Sequence, residues 1–307
     1  MQNLPQARVI DPILSNVVLG YKNADLVGLS LMPQVPTTYH GGKVLQFGKE
    51  EFILRDTERS PGAATKRIEV GYAGLPYALN INALEALVPD ELLTDAAQVP
   101  GINLATESIN PVMAGLALGR EYKIATLARS IATYPAGHVV PLSGAAQFNN
   151  ATSTPRANVR AAAQIIRSKI GKLPNTIIMR SEVLDILDEH PNVRDRLKYT
   201  SSESLTAEML ARYFGVKRVI LGDAIYANDA GVFVDVWGKD MVLAYVPDSP
   251  AMREPSFGYT YTLKGHPSVA APYRENNRRS WIYGLDYNYA PVIAANTAGF
   301  LIQNVIA

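Results

Sequence analysis

Residues 39–80 have the sequence YHGGKVLQFGKEEFILRDTERSPGAATKRIEVGYAGLPYALN, and this stretch predicts a long two-stranded arm. Residues 44–47 and 51–54 have the apolar content of strands, and residues 68–70 provide a returning strand. The dipeptide Pro61-Gly62 between them favours a turn. An isolated two-stranded ribbon is at best marginally stable in water. One face of the arm must therefore be covered, either by the body of the same chain, as in most hairpins, or by another copy.

Charged residues of both signs occupy the expected tip of this arm: Arg55, Asp56, Glu58, Arg59, Lys66 and Arg67. A mixed-charge surface is complementary to a partner of similarly mixed charge rather than to a polyanion. A second charged run, residues 274–279, lies between Tyr273 and Trp281. Its composition is typical of an exposed loop, although arginine and aromatic residues are also enriched at interfaces. We therefore predict the tip residues, together with Arg278, Arg279 and Trp281, as candidate contacts between copies.

Residues 1–36, which precede the arm, have short apolar clusters but neither a helical nor a strand period. Prolines at positions 5, 12, 33 and 36 interrupt them. An apolar segment without a core of its own must pack on another one. Two alternatives are open from the sequence: a strap across the body of the same chain, or an arm that lies on a neighbouring subunit.

A long helix is predicted after the arm. Asn110 and Pro111 provide an N-cap and a first helical residue, and apolar residues from Ile109 to Ile131 recur at helical spacing. A helix from Pro111 to Thr133 would be about 34 Å long. The segment before Pro111 is a candidate continuation of this helix through a kink. A helix of this length is typical of a structural spine for a sheet.

The remainder of the chain predicts a mixed α+β domain and two closing strands. Residues 154–265 alternate short apolar strands with helices that end at Gly171 and Gly215. Residues 283–289 alternate apolar and polar side chains, the period of a half-buried strand, and residues 297–306 predict a second strand. The predicted fold class is therefore α+β.

Composition excludes several classes of protein. The 307 residues are 48% hydrophobic and 19% charged, an ordinary globular composition. No run reaches the roughly 18 apolar residues of a membrane span, and the N-terminus lacks the features of a signal peptide, so we expect a soluble intracellular protein. The absence of cysteine excludes disulfides, thiolate metal sites and cysteine nucleophiles. A net charge of +1 disfavours a dedicated nucleic-acid binder.

The usual motifs of catalysis are missing as well. The sequence contains no G-x-x-x-x-G-K-[ST] phosphate loop, no G-x-G-x-x-G dinucleotide turn and no G-x-S-x-G nucleophile elbow. The histidines are in separate segments, at His40, His138, His190 and His266. The run Asp188-Glu189-His190 is typical of a solvated helix terminus before Pro191. We predict a protein without catalytic residues, cofactor or metal, and therefore not an enzyme.

From Pro174 onward the chain resembles a known family. The residues that carry the resemblance are, in order, Pro174-Asn175-Thr176, His190-Pro191, Lys198-Tyr199-Thr200, Phe214-Gly215-Val216, Gly222-Asp223-Ala224, Trp237-Gly238-Lys239, Ala244-Tyr245-Val246-Pro247 and Pro255-Ser256-Phe257-Gly258-Tyr259-Thr260. Each group alone is weak, but the ordered succession is specific. With residues 56–62 upstream, it is similar to the major capsid proteins of tailed bacteriophages, from about Met32 to Tyr289.

The resemblance implies the Hong Kong 97-type capsid fold, an α+β fold with five parts. These are an N-terminal arm at 1–36, an extended β-hairpin loop at 37–82, a peripheral domain with a long spine helix at 83–150, an axial α+β domain at 151–268, and strands at 269–307 that return to the peripheral domain. It also implies a structural protein that assembles as hexamers and pentamers into the icosahedral head around double-stranded phage DNA.

The partners implied are other copies of the chain, a separate scaffolding protein, a portal and a decoration protein. Packaged DNA would be contacted weakly and non-specifically, and no membrane is involved. The implied location is the virion capsid, after assembly in the host cytoplasm. One rival hypothesis is an encapsulin-like nanocompartment shell, which would need an inward-facing cargo groove. Another is a cytosolic enzyme of unfamiliar α+β fold, which would need a polar pocket and has no use for the arm.

Overall fold

The structure, a computed structural model, describes residues 11, 14, 15, 23, 25–45, 58–60, 74–96, 104–197, 205–249 and 255–307. The helices in these ranges are α1 (Gly28–Leu31), α2 (Asp90–Ala96), α3 (Leu104–Arg129), α4 (Pro155–Ile170), α5 (Ser181–Glu189), α6 (Pro191–Leu197) and α7 (Ala207–Phe214). Short 3-10 helices lie at Ile131–Thr133, Gly144–Ala146 and Asn296–Ala298.

The strands are distributed along the whole described chain. They are β1 (Gln34–Thr37), β2 (Gly41–Leu45), β3 (Gly74–Ala78), β4 (Ala83–Pro89), β5 (Val139–Pro141), β6 (Thr176–Met179), β7 (Arg218–Leu221), β8 (Ile225–Ala227), β9 (Phe233–Asp235), β10 (Met241–Ala244), β11 (Gly258–Leu263), β12 (Ser268–Val269), β13 (Tyr273–Glu275), β14 (Ser280–Asp286), β15 (Tyr289–Ile293) and β16 (Gly299–Gln303). Helices and strands are thus mixed, as the α+β prediction requires.

The largest sheet has the strand order β5-β16-β10-β6-β7. Leu243 on β10 lies opposite Ile177 on β6 and Phe300 on β16, and all three side chains are buried. Helix α4 packs on β10 and β16, while α7 packs on β7. These elements share the largest core of the described residues.

A second sheet is built around β14, which pairs along one edge with β4 and along the other with β12 and β13. The first half of α3 packs on this sheet, where Ile109 and Met113 share a core with Leu285. The second half of α3 belongs to the largest core through Ile124 and Ala128. The 26-residue helix therefore connects two cores, which is the structural basis for a spine.

Local sequence signals explain where the helices of the α+β region begin and end. Pro155 is the first residue of α4, and Gly171 ends it with φ at 68°, the left-handed conformation that glycine adopts without strain. The backbone N–H of Met209 donates to the Thr206 hydroxyl at 3.3 Å and caps α7, which ends at Gly215. The two helix ends confirm the sequence prediction.

The spine helix begins earlier than Asn110 and Pro111 predict. It starts at Leu104 and contains Pro111 in its interior, so the alternative in which the helix continues before the proline is the correct one. Proline costs a helix one backbone hydrogen bond. Packing offsets this cost here, because Ile109 and Val112 on either side of Pro111 are buried against the second sheet.

The closing strands differ from the prediction in burial. The predicted half-buried strand at 283–289 is two strands, β14 and β15, and every residue from Ile282 to Ala290 is buried. The return of residues 269–307 to the peripheral domain stays a prediction, and the position of β16 bears on it. This strand lies between β10 and β5 in the largest sheet, antiparallel to β10 and parallel to β5. Its apolar sequence, GFLIQ, suits this central position.

Candidate assembly surfaces

The base of the predicted arm is the antiparallel pair β2–β3, whose register runs from Gly41 opposite Ala78 to Leu45 opposite Gly74. The base packs on the three-stranded sheet β1-β11-β15 of the same chain. Tyr77 stacks on Tyr261 of β11 with ring centroids 4.2 Å apart. The base of the arm is therefore anchored on its own subunit, which gives the arm a defined direction of departure.

Two of the predicted tip residues lie in described positions. Glu58 and Arg59 are both exposed. Arg55, Asp56, Lys66 and Arg67 lie outside the described residues, as do the strands predicted at 51–54 and 68–70. The pairing of these tip residues with a partner remains a prediction.

The second charged run forms the turn between β13 and β14. Arg274 pairs with the carboxylate of Asp90 at the start of α2, with Nη2 2.5 Å from Oδ2. The Asp90 backbone N–H donates to the carbonyl of Arg279 at 2.9 Å. Arg278 is 68% exposed, and its Nε is 3.7 Å from a Glu275 oxygen. The turn is thus held at its base, while the side chains of Arg278 and Arg279 are exposed to solvent.

Trp281 has a different environment from its two arginine neighbours. It is only partly exposed, lies opposite Arg274 on β13 and Val88 on β4, and packs against the core shared by α3 and the second sheet. The structure therefore brings Arg278, Arg279 and Trp281 to one end of β14, but it gives Trp281 a packing role within the subunit in addition to any contact between copies.

Residues 25–37 of the N-terminal segment pack on the body of their own chain. Val27, Leu31 and Met32 are buried in the largest core, and β1 extends the β11–β15 sheet as a parallel edge strand. The backbone N–H of Asp11 also donates to the carbonyl of Val269 at 3.1 Å. For these residues, the strap is the correct alternative.

A buried carboxylate, which sequence reasoning missed, fastens this strap. Both oxygens of Glu121 on α3 accept hydrogen bonds from the backbone N–H of Gly28, at 2.8 and 2.9 Å. Its Oε1 also accepts from the Val27 N–H at 3.0 Å and from Trp237 Nε1 at 2.8 Å. Burial raises the pKa of Glu121 above its usual value. The sequence signal was an acid in phase with Ile124 and Ala128 on the buried face of a helix.

Two histidines are buried, and for His190 this contradicts the expectation of a solvated helix terminus. His190, predicted to lie in a solvated helix terminus, is 3% exposed, and its Nε2 is 3.0 Å from the Ser153 hydroxyl. His138 is also buried, with Nδ1 2.8 Å from the Gly299 carbonyl. Each ring has a nitrogen within hydrogen-bond distance of a neighbouring backbone or hydroxyl group, as most buried polar side chains do. Their contacts are those of packing residues.

Three exposed apolar side chains lie together on the β8–β9 hairpin. Ile225, Val232 and Phe233 are 50%, 58% and 73% exposed. Single exposed apolar residues are ordinary, whereas several together mark a surface that contacts another molecule.

Within the described part of the chain, no group of three side chains could hold a metal ion, and no helix is long and apolar enough to cross a membrane.

The chain is similar to known proteins in both sequence and structure. No protein-family model matches the chain. The chain is 33% identical over 314 residues to the major capsid protein of Burkholderia phage BcepMu, with 99% of each chain covered. It is 45% identical to a phage-related protein from Bordetella bronchiseptica RB50 in a crystal structure, with a TM-score of 0.83 and 98% of each chain covered.

More distant solved structures share the fold at low identity. The mature capsid of bacteriophage PhiM1 matches with 14% identity and a TM-score of 0.54, over 92% of this chain and 87% of that one. The SrpI encapsulin of Synechococcus elongatus PCC 7942 matches with the same identity and TM-score, over 100% and 93%. At this identity the two matches concern the fold alone.

Proposed function

The chain belongs to the family of phage major capsid proteins, with the Hong Kong 97-type fold, and we propose that it assembles through its arm into hexamers and pentamers of an icosahedral head. As a major capsid protein it is a structural component of the phage capsid, and its relatives are structural proteins rather than enzymes. We extend this to the chain itself and assign it no catalytic activity.

The division of the chain follows the family plan. We assign 1–36 to the N-terminal arm, 37–82 to the extended loop, 83–150 to the peripheral domain, 151–268 to the axial domain and 269–307 to the return strands. Helix α3 takes the role of spine, since it connects two cores. Strand β16, in the range of the return strands, pairs with β10 of the axial range and with β5 of the peripheral range.

The observation that carries the arm's role is the geometry of its base. Residues 46–73 connect β2 to β3, far more than the two to five residues of an ordinary hairpin loop. The base is fixed on the subunit by the stacked Tyr77 and Tyr261. An extension of this length on a fixed base is suited to contact a neighbouring subunit, through Glu58, Arg59 and the other charged tip residues. Arg278 and Arg279 offer a second exposed contact, of positive charge.

An encapsulin-like shell is the second candidate function, and the shared fold supports it. Sequence identity favours the phage capsid, because the full-length curated relative is a phage protein. Terminase and portal genes beside the coding sequence would support the capsid, whereas a neighbouring cargo enzyme would support the encapsulin.

The proposal of a head includes a scaffolding protein, a portal and a decoration protein as partners, assembly in the host cytoplasm, and weak, non-specific contact with packaged DNA.

Deletion of the arm tests the proposal. Replacing Glu51–Val70 with a short Gly-Ser turn should leave a soluble chain with near-normal circular dichroism, because changes in the length of a surface connection have little effect on the stability of the core. Negative-stain microscopy and sedimentation, with and without candidate scaffold, should find no shells. Normal shells from this variant would remove the arm from assembly, and aggregation or a sharply lower melting temperature would indicate an arm folded on its own subunit.

A further inference from the structure

Charge is segregated between two helices of the predicted axial domain. Helix α4 has four basic residues and no acidic one: Arg156, Arg160, Arg167 and Lys169. Helix α5 has four acidic residues and no basic one: Glu182, Asp185, Asp188 and Glu189. The whole chain has a net charge of only +1, so overall composition does not account for this separation.

Three of the basic residues form a stripe along α4. At 3.6 residues per turn, Arg156, Arg160 and Arg167 project within about 40° of one another, over roughly 16 Å of helix. Arg160 and Arg167 are exposed, and the stripe runs beside the buried face that includes Val159 and Ile166. We call these three residues the arginine stripe.

The N-terminal end of the arginine stripe opens into a cavity of about 420 Å³. Arg156, Arg160 and Arg196 line it beside Tyr213, with Asp195 as the acidic residue of the lining. Arg156 is held in place, since its Nε donates to the Tyr213 carbonyl at 3.0 Å and its guanidinium lies 5.5 Å from the ring centroid. Fixed guanidinium groups bind carboxylates in bidentate geometry with little loss of side-chain entropy.

The acidic residues of α5 form a matching stripe on the outer face of that helix. Glu182, Asp185 and Glu189 are exposed and project within about 60° of one another, over roughly 10 Å. Val183 and Leu187 occupy the opposite, buried face. We call Glu182, Asp185 and Glu189 the acidic stripe.

The two stripes do not pair within one subunit. Among the ion pairs between described residues, the one that involves either stripe joins Glu182 to its neighbour Arg180, at 2.8 Å. Helix α4 instead packs on α7, β10 and β16. Apart from Glu182, the residues of both stripes have no ion-pair partner among the described residues, and a surface of the opposite sign and similar length would stabilise each stripe.

We propose that the arginine stripe and its cavity receive the acidic stripe of a second copy of this chain. The contact joins two different surfaces, so it is heterologous, the type of contact that closes rings when it repeats around an axis. This inference rests on the proposed function and deepens it, because it names the surfaces that meet within a capsomer. Packaged DNA is the weaker occupant, since Asp195 lines the cavity and the acidic stripe on the same domain repels a polyanion.

Charge reversal in both stripes tests the pairing. Arg160→Glu with Arg167→Glu should lower the yield of capsomers or shells at least tenfold in low salt, measured by sedimentation velocity and negative-stain microscopy. Asp185→Lys with Glu189→Lys should do the same. The quadruple variant restores opposite charges across the contact and should recover assembly to within about threefold of wild type. Circular dichroism should be near normal for all three variants.

A matched control makes the same change in net charge at positions outside the arginine stripe. Lys169→Glu with Lys264→Glu alters the net charge as the arginine variant does, on exposed residues outside the stripe, and should leave assembly unchanged. The inference is overturned if both single-stripe variants assemble normally, or if the quadruple variant stays as defective as either. Normal empty shells that fail to retain DNA would assign the arginine stripe to nucleic acid instead. Failure of the wild-type chain to assemble under any condition, with scaffold included, would count against the proposed function itself.

Discussion

Removal of the Glu121 carboxylate is the sharpest test of how the N-terminal strap is held. Glu121→Ala deletes the acceptor for the backbone N–H groups of Val27 and Gly28 and for Trp237 Nε1. All three donors lie in a buried environment, where an unsatisfied donor costs about 1–3 kcal/mol. Removing the carboxylate also abolishes its own desolvation cost. We therefore expect a net loss toward the lower end of the summed cost of three unsatisfied donors, about 3–5 kcal/mol of the free energy of unfolding.

A loss of this size is a large fraction of the roughly 5–15 kcal/mol that stabilises a folded domain. Thermal unfolding followed by circular dichroism should show a midpoint roughly 5–15 °C lower than wild type. Glu107→Ala is the matched control, because Glu107 is exposed on the same helix and contributes about 0.3–1 kcal/mol through the helix dipole. A Glu121→Ala midpoint within 2 °C of the control would refute the view that this carboxylate fastens the strap.

Two further predictions concern the surroundings of Glu121 and of its partner Trp237. Burial raises the pKa of Glu121 above its usual 4.5, so the folded state binds this proton more tightly than the unfolded state does. The free energy of unfolding should therefore fall as pH rises between 4.5 and the raised pKa. This fall should be smaller in Glu121→Gln, when the unfolding midpoints of the two proteins are compared across pH. Gly222→Ala should lower the free energy of unfolding by about 1–3 kcal/mol in urea titration, because the new Cβ would lie 2.5 Å from Trp237 Cδ1. Gly119→Ala is the control and should not destabilise the protein, because its new Cβ would meet nothing within 4 Å.

Elements with strong local signals could be predicted from the sequence. Pro155 and Gly171 delimit α4, and Thr206 and Gly215 delimit α7, because capping and left-handed glycine are properties of a few adjacent residues. The base of the predicted arm is an antiparallel pair, but its returning strand lies at Gly74–Ala78, beyond the predicted residues 68–70. The family resemblance followed from ordered motifs such as Gly222-Asp223-Ala224, where the glycine is explained by its close approach to an indole ring.

Candidate contacts were less accessible to sequence reasoning. Exposure of Arg278 and Arg279 was expected, since charged side chains in a turn seldom find buried partners. Burial of Glu121 and His190 was not, because their partners Gly28 and Ser153 are distant in sequence, and only the fold brings them together.

The amino-acid sequence by itself determined the class of fold, the positions of helices α4, α5 and α7, the family, and the charge of each helix. These depend on periodicity, caps and residue order, which are local or linear properties. Only the tertiary structure decided that residues 25–37 form a strap on their own subunit, that α3 continues through Pro111, and that β16 joins the largest sheet. Each of these outcomes is set by burial against residues far along the chain, and the energy of such contacts is not encoded in any one segment.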